Sequence, residues 1–279
     1  MNNQIGGMKV KSIVSLLDFD GAYKRQSFYH EGSYNWIDFN VMQNVSLFCE
    51  KSTLLNIADK LNDYQESSVY YLGSGNYHYI SYLLQSKICQ PYTLILFDHH
   101  TDTLPAPSPD LISCGSWLLE SLKTLPLLKK VYILGVSEEA YQHIPNAFDE
   151  KVVIYTEQSL HTNLAAIMKA IKKNIPTKTI YISIDKDVLD MEDALTGWDQ
   201  GTLRLNQLMK LVTELIACKE IAGVDICGEY PVNPTKDFLL ETTNAVYKNN
   251  QANSYILKQI YERMSEIASN PLSKDSMKV

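Results

Sequence analysis

Two hydrophobic patterns alternate along the chain, and together they predict its elements. Short runs of β-branched, aliphatic and aromatic residues are typical of buried strands. Segments in which apolar residues recur every three or four positions are typical of helices with one buried face. Eight runs predict strands, at residues 11–18, 45–49, 68–72, 93–97, 131–136, 152–155, 179–184 and 221–226.

Four of the intervals between these runs carry a clear helical stripe. The stripes consist of Leu54, Ile57, Ala58 and Leu61; of Leu118, Leu119, Leu122 and Leu125; of Leu164, Ile167, Met168 and Ile171; and of Leu205, Leu208, Met209, Val212 and Leu215. Residues 253–269 predict a last helix, residues 102–113 and 230–237 predict loops, and residues 270–279 predict a loose tail. Strands that alternate with helices predict an α/β fold, in which helices cover both faces of a mostly parallel sheet of about eight strands.

The composition of the chain agrees with a single folded domain and argues against some classes of binding partner. The 279 residues are 45% hydrophobic and no repeat or linker divides them, so a single domain over residues 1–279 is expected. A net charge of −7 argues against nucleic acid or an anionic membrane as a partner. Five cysteines without CxxC spacing indicate reduced thiols in a cytoplasmic protein. Residues 1–11 lack the apolar core of a signal peptide, and no run approaches the roughly 20 apolar residues of a membrane span.

Carboxylates gather at the ends of two of the predicted strands. Residues 98–102, with the sequence Asp-His-His-Thr-Asp, follow the run at 93–97, and residues 185–190, with the sequence Asp-Lys-Asp-Val-Leu-Asp, follow the run at 179–184. The carboxyl ends of parallel strands are where open α/β sheets bind ligands. Alternate residues of an extended backbone point the same way, so each stretch is expected to direct its acids to a common place.

Four carboxylates and one imidazole would then converge. They belong to Asp98, His100, Asp102, Asp185 and Asp187. Such ligands without a thiolate suit Mn²⁺, Fe²⁺, Ni²⁺ or Zn²⁺. Their charge is enough for two divalent ions, and such a pair can hold a hydroxide between them as a nucleophile. The alternative for either stretch alone is a set of acids that cap the next helix. The two stretches together favour a metal centre.

The two acidic stretches resemble two linked motifs of the arginase/agmatinase/formiminoglutamase (ureohydrolase) superfamily. Residues 98–102 resemble its DAHxD motif, with His99 in place of alanine, and residues 183–190 resemble its SxDxDxxDP motif, with Met191 in place of proline. The resemblance implies a three-layer α/β/α fold with a central parallel sheet of about eight strands. It also implies a centre of two Mn²⁺ ions, with Ni²⁺, Fe²⁺ or Zn²⁺ as alternatives.

The resemblance also implies roles for the residues of both motifs. Asp98 and Asp185 resemble the carboxylates that bridge the two metals. Asp102 resembles a ligand of the first metal, and His100 and Asp187 resemble ligands of the second. Asp187 would in addition steady the tetrahedral intermediate of the reaction.

Two positions depart from the family pattern. The family's first histidine ligand lies earlier in the chain than His78, which would reach the metal only if its loop bulges; Asn76 or a water molecule is the alternative. Cys114 replaces a histidine that shuttles protons. A thiol near two cations and a helix N-terminus can have a lowered pKa, so Cys114 is a candidate proton relay or nucleophile. The alternative is that Cys114 only packs.

Further residues are expected to shape the substrate pocket. Residues 223–231 resemble the family's DxxExNP segment, with one residue added before the glutamate. The resemblance implies that Glu229 pairs with the substrate guanidinium or amidine, as a bidentate fork would. Asp225 is interpreted as a structural acid, and Asp190 either as an acid that orients a ligand or as a turn former. Trp198 is a candidate for a wall of the pocket. The two aspartates of residues 18–21 are candidates for acidic groups at its rim. For both features the alternative is an ordinary loop.

These features predict a metal-dependent hydrolase of a carbon–nitrogen bond in a linear guanidine or amidine, which is a small cationic substrate. The catalytic candidates are Glu229, Cys114 and Asp187, and the metal-ligand candidates are Asp98, His100, Asp102, Asp185, Asp187 and His78. Two alternatives stay open: a single-metal amide hydrolase that resembles the deacetylases, and a non-catalytic relative that binds metal or ligand. Members of the family often form homo-oligomers, and the same is expected here.

Overall fold

Eight parallel strands form the central sheet of the computed structural model, which describes residues 13–140, 146–232, 235 and 238–269. The strands in these ranges are β1 (Ile13–Asp18), β2 (Ser33–Asp38), β3 (Phe48–Glu50), β4 (Val69–Tyr71), β5 (Tyr92–Phe97), β6 (Leu111–Ser113), β7 (Leu128–Val136), β8 (Val152–Thr156), β9 (Thr179–Asp185) and β10 (Glu220–Cys227). The central sheet has the order β2-β1-β4-β10-β9-β5-β7-β8, and each neighbouring pair is parallel. The short strands β3 and β6 pair antiparallel in a second sheet.

Helices cover both faces of the central sheet. In the described part of the chain they are α1 (Lys51–Asn62), α2 (Ile80–Ser86), α3 (Trp117–Thr124), α4 (Glu157–Asn174), α5 (Leu205–Cys218) and α6 (Leu240–Ser269). Alternate residues of β5 enter opposite cores. Ile95 and Phe97 pack with α4, α5 and α6, whereas Leu94 and Leu96 pack with α1, α2 and α3. Because both faces are covered, β5 and β9 are buried along their whole length. The predicted three-layer α/β/α fold is confirmed.

Four neighbouring strands at the middle of the sheet, β4, β10, β9 and β5, end side by side. The loops that leave their carboxyl ends carry residues 72–79, 228–232, 186–190 and 98–104. These stretches are far apart in sequence. Because the strands are parallel, the loops nevertheless meet at one end of the sheet, and there they bring the candidate ligands together.

Seven of the eight predicted strands belong to the central sheet, and the eighth does not. Residues 45–49 contribute only to β3 in the small sheet. Their place is taken by β2, which the apolar pattern does not predict. β2 lies at the edge of the sheet and keeps most of its side chains partly or fully exposed, so it needs few apolar residues.

The last helix is longer than predicted. α6 begins at Leu240 rather than at residue 253. Its first half is buried through Thr242, Ala245 and Asn249, which are polar or small. Such residues do not form the apolar stripe by which a helix is recognised in sequence.

The remaining expectations about the elements have mixed outcomes. Residues 111–113, predicted as loop, form β6, and the short helix α2 is not predicted. The described part of residues 230–237 is neither helix nor strand, as expected. Residues 1–11 and the predicted tail at 270–279 lie outside the described residues. None of the helices in the described ranges has the length and the apolar character that crossing a bilayer requires.

Candidate metal centre

The loop after β5 turns tightly and holds three of the candidate ligands together. Asp98 directly follows the strand, and its Oδ1 accepts the backbone N–H of His100 at 2.6 Å. Asp102 has a φ of 51°, a left-handed conformation that is uncommon for a residue with a side chain. The ring of His100 turns its Nδ1 toward Oδ2 of Asp187, 2.9 Å away. A tight turn, rather than an extended backbone, therefore groups these residues.

A 3₁₀ turn at Lys186–Val188 follows β9 and presents Asp185 and Asp187 to the same place. Oδ1 of Asp185 accepts the backbone N–H of Asp187 at 3.0 Å, which closes the turn. Oδ1 of Asp187 accepts the backbone N–H of His99 at 3.0 Å. This last hydrogen bond joins the two acidic stretches directly.

His78 lies among the acidic residues. The 3₁₀ turn Gly75–Tyr77 after β4 brings its ring into the cluster, where the residue is 1% exposed. Its Nδ1 is 3.1 Å from Oδ2 of Asp102 and 3.4 Å from Oδ2 of both Asp98 and Asp185. The position of the histidine in sequence differs from that in the family motif, but the turn places the ring beside three carboxylates.

Hydrogen bonds behind His78 determine which ring nitrogen faces the acids. Ser183 Oγ lies 2.9 Å from Nε2 of His78 and donates its own hydrogen to Oδ1 of Asp225 at 2.6 Å. Because that hydrogen is already used, the serine oxygen accepts from Nε2–H of His78. The lone pair of Nδ1 is then free for a cation, as in a metal-binding histidine. Asp225 also accepts the hydroxyl of Tyr181 at 2.7 Å, which agrees with its interpretation as a structural acid.

Potential ligand atoms form overlapping groups, each compact enough to surround one ion. In three groups the atoms lie within 4.8 Å of one another: His78, Asp98 and Asp102; Asp98, His100 and Asp187; and His78, Asp185 and Cys227. The first two groups share Asp98, so a carboxylate is available between two ions. The structure thus brings together all the predicted ligand residues, and their binding of metal stays a prediction.

The electrostatics of the cluster fit divalent cations. Oδ2 of Asp98 is buried without a hydrogen-bond partner. Burial, followed by the charges of Asp102 and Asp187, raises the pKa of Asp98 well above its ordinary value. Burial and the charge of Asp187 raise the pKa of Asp185 to about 6. Buried carboxylates cost free energy unless they are paired or coordinated, and metal ions would remove that cost.

The two histidines respond to the same negative field. Burial lowers the pKa of His78, but the hydrogen bond and charge of Asp102, with the charges of Asp98 and Asp185, outweigh it and raise the pKa to about 10. For His100, burial also lowers the pKa, but the hydrogen bonds that Asp187 and Asp98 accept from its ring outweigh burial and raise the pKa. Without a metal ion, protons on the imidazoles therefore compensate part of the charge that cations would neutralise.

Trp117, which the sequence does not single out, supports the ligands from behind. Its Nε1 donates to Oδ2 of Asp102 at 2.5 Å, and its ring centroid is 4.8 Å from that of His78. The residue is fully buried at the start of α3. An indole N–H is only a donor, which suits it to hold a carboxylate, but Trp117 lies 15 residues after Asp102 and no local sequence signal marks this contact.

A cavity of about 690 Å³ opens onto the cluster. Trp198 lines it, as predicted, and its ring centroid is 5.9 Å from that of His100. Leu47, also in the wall, has a φ of 67°. Among the described residues, the left-handed non-glycine residues include two in this cavity, Leu47 and Asp102, and such strain is common at functional sites.

Cys114 lines the same cavity, but its surroundings disfavour a thiolate. Burial raises the pKa of its thiol to about 12, and the charge of Asp102 adds to the shift. This direction is opposite to the lowered pKa expected from the sequence. The main reason is burial of the thiol, and the charge of the neighbouring Asp102 acts in the same direction.

Glu229 is not among the residues that line the cavity, contrary to the expectation that it holds the substrate. It is 1% exposed and forms an ion pair with Nζ of Lys186, which is fully buried. Gln26 donates to its Oε2 and Asn253 to its Oε1, each at 2.7 Å. Gly228, with a φ of 85°, turns the chain just before it. The carboxylate is therefore occupied by the protein itself.

Asp190 and Asn76 serve the local fold. Oδ1 of Asp190 accepts the backbone N–H of Glu192 at 2.8 Å, which supports its interpretation as a turn former. Asn76, the alternative to His78 as a ligand, donates to Ser46 at 3.1 Å and accepts from Trp198 at 3.1 Å.

The acids of residues 18–21 hold loops together and do not line the cavity. Oδ1 of Asp18 accepts the backbone N–H of Gly21 at 2.7 Å, and Oδ2 of Asp20 accepts that of Ser74 at 3.3 Å. The ordinary-loop alternative therefore describes them better than a place at the rim.

Comparison with known proteins gives consistent matches. A model of the arginase family matches residues 12–269. The chain is 30% identical over 216 residues to an uncharacterized protein of Thermotoga maritima. The matched region covers 77% of this chain and 79% of that protein. Formimidoylglutamase from Bacillus subtilis superimposes with a TM-score of 0.63 at 17% identity, over 91% of this chain and 89% of that one. A hypothetical agmatinase from Burkholderia thailandensis superimposes with a TM-score of 0.62 at 19% identity, over 91% and 87%.

Proposed function

Because the chain belongs to the arginase family, we propose that it is a metal-dependent hydrolase of a carbon–nitrogen bond in a linear guanidine or amidine. The observation that carries the proposal is the pair of ligand groups that share Asp98 and line a cavity. Two adjacent sites with a common carboxylate are what a two-metal hydrolase needs. A single-metal amide hydrolase would not need the second group.

Two Mn²⁺ ions are the proposed cofactors, with Ni²⁺, Fe²⁺ and Zn²⁺ as alternatives of similar ligand preference. The residues that would hold the first ion are His78, Asp98 and Asp102, and those that would hold the second are Asp98, His100 and Asp187. Asp185, whose Oδ2 lies 3.4 Å from Nδ1 of His78, is a further proposed ligand. When bound, such ions supply Lewis acidity and lower the pKa of a water molecule to near neutrality.

The chain's own residues keep this site oriented. Ser183 holds the proton of His78 on Nε2, so that Nδ1 points at the acids. Trp117 holds Oδ2 of Asp102 through its indole N–H. Fixed ligands reduce the reorganisation that a reaction would otherwise require, and the buried surroundings strengthen each electrostatic contact.

Two of the catalytic candidates, Asp187 and Cys114, line the cavity. We assign to Asp187 the steadying of the tetrahedral intermediate, because its Oδ2 lies at the cavity beside His100. Cys114 stays a candidate proton relay or nucleophile; burial raises the pKa of its thiol to about 12, so either role requires a nearby cation that lowers this pKa. A small cationic substrate suits a cavity whose other charged lining residues, Glu139 and Asp199, are acidic.

A screen of guanidines and amidines against manganese-loaded protein tests the proposal. Release of urea, ammonia or formamide is expected from the wild type and is expected to fall by more than about 100-fold in Asp98→Asn. Asp190→Asn, which changes the turn aspartate, is the matched control. Cys114→Ser is expected to lower the turnover, because a serine hydroxyl is a weaker acid than a thiol, and unchanged turnover would show that the thiol has no chemical role.

Other outcomes of the same screen would favour the alternatives. Amide hydrolysis with one metal per chain would favour the deacetylase-like reaction. Metal uptake without turnover of any substrate would favour a binding protein. Turnover by Asp98→Asn equal to that of the wild type would contradict the site assignment. The cytoplasmic location and the homo-oligomer stay predictions, which cell fractionation and light scattering would check.

A further inference from the structure

The outer wall of the cavity is apolar although it is open to solvent. Its main apolar residues are Leu47, Phe48, Leu104, Pro105, Pro107 and Trp198. Phe48, Leu104 and Trp198 are 43%, 48% and 40% exposed. Large apolar side chains that stay exposed around one opening indicate a surface that a ligand covers.

The charge of the same wall is negative. Apart from the candidate metal ligands, the charged residues in its described lining are Glu139 and Asp199. No lysine or arginine of the described residues lines the cavity. A carboxylate at the far end of a substrate would meet these acids without a cationic partner, at a cost in free energy.

The volume of the cavity exceeds what the reacting group needs. About 690 Å³ is typical of sites that enclose an organic ligand of many atoms, whereas a guanidine or amidine group has only a few. The space beyond the candidate ligands is bounded by the apolar wall. The hydroxyl residues Thr101, Ser113 and Ser137 also belong to the lining, but most of its surface is hydrocarbon. The rest of the substrate therefore meets mainly hydrocarbon.

We infer that the substrate carries its guanidine or amidine on an apolar alkyl or aryl tail that ends without a carboxylate. The inference rests on the proposed function, because it places the reacting group at the metal cluster and the tail against the apolar wall. Burial of the tail supplies binding that Glu229, paired with Lys186, does not supply.

Hydroxamates with different tails test this inference without requiring turnover, because the hydroxamate group itself binds metal ions. The probes are acetohydroxamate, hexanohydroxamate, 6-aminohexanohydroxamate and adipic acid monohydroxamate, with Kd measured by calorimetry on the manganese-loaded full chain. Hexanohydroxamate is expected to bind about tenfold tighter than acetohydroxamate, since each fully buried methylene contributes about fourfold and the wall is partly open. The carboxylate-ended probe is expected to bind about tenfold more weakly than hexanohydroxamate.

A variant in the apolar wall distinguishes the contribution of the tail to affinity from that of the metal-binding group. Leu104→Ala is expected to weaken hexanohydroxamate about threefold and to leave acetohydroxamate unchanged. Leu55→Ala is the matched control, because Leu55 is 66% exposed on α1 and does not line the cavity. Both variants remove the same side chain from positions open to solvent, so a general loss of stability would affect them alike.

The possible failures are distinct. Equal affinity for all four probes, or tightest binding of the carboxylate-ended probe, would overturn the substrate class while the hydrolase remains. Absence of metal uptake would refute the proposed function and the inference with it. Preferred turnover of a guanidine that bears a free carboxylate would also overturn the inference, but would support the hydrolase.

Discussion

At the scale of single residues, Glu229 is a buried carboxylate whose oxygens are held by other residues of the protein. Its carboxylate is surrounded by donors from the protein, with Lys186 as its counter-ion and Gln26, Asn249 and Asn253 as amide donors. A buried ion pair is costly to break, because the partner that remains keeps its charge in a medium of low polarity. We therefore expect the residue to stabilise the turn that carries the candidate ligands rather than to bind substrate.

Replacing this carboxylate is expected to affect stability and not substrate affinity. Glu229→Gln leaves Lys186 buried without a counter-charge, so the free energy of unfolding is expected to fall by about 3–5 kcal/mol. Urea unfolding measures this fall, and Glu66→Gln, at an exposed position, is the control. A KM raised tenfold at unchanged stability would show instead that Glu229 holds the substrate.

The residues of the candidate site differ in how well the sequence predicts their positions. The acids after β5 and β9 could be predicted, because a charged residue that ends a buried strand needs a reason to be there. The place of His78 could be predicted only on the condition that its loop bulges, because it depends on a 3₁₀ turn that a local sequence pattern does not specify. The orientation of Glu229 depends on the φ of Gly228, which composition does not reveal.

At the scale of elements, the turn after β10 is built to let the chain pass close to the metal motif. Gly228 has a φ of 85°, and a Cβ there would contact Oδ1 of Asp185 and the backbone nitrogen of Lys186. Both the conformation and the close approach require glycine. The end of β10 and the turn after β9 therefore constrain each other.

Adding one methyl group at this turn is expected to disturb both elements. Gly228→Ala is expected to lower the free energy of unfolding by about 1–3 kcal/mol, because the new Cβ is strained and displaces Asp185. Manganese affinity is expected to fall with it. Gly32→Ala is the matched control, since nothing lies within 4 Å of its added Cβ. Unchanged metal affinity in Gly228→Ala, measured by calorimetry, would show that the two turns are independent.

Elements were predictable where burial dictates their sequence. β5 and β9 are covered on both faces and therefore read as continuous apolar runs. β2 lies at the edge, and the first half of α6 is buried through small and polar residues, so neither has the pattern that marks an element. The small sheet of β3 and β6 depends on pairing between distant residues, which local patterns do not report.

At the scale of the whole molecule, the fold follows from the alternation of strands and helices, and family membership agrees with it. The family model covers residues 12–269, and the eight-stranded parallel sheet matches the predicted count. The alternation does not predict the substrate, because substrate specificity depends on the loops that form the cavity wall. The single domain over residues 1–279 stays a prediction.

A protein with a net charge of −7 gathers buried acids at one place, and we propose that two cations neutralise them. The most direct test counts manganese per chain by mass spectrometry after equilibrium dialysis, for the wild type and for Asp98→Asn. Two ions per wild-type chain are expected, and at most one in Asp98→Asn, because the shared carboxylate is lost. A wild-type chain that binds one ion or none, or an Asp98→Asn chain that still binds two with wild-type affinity, would contradict the account.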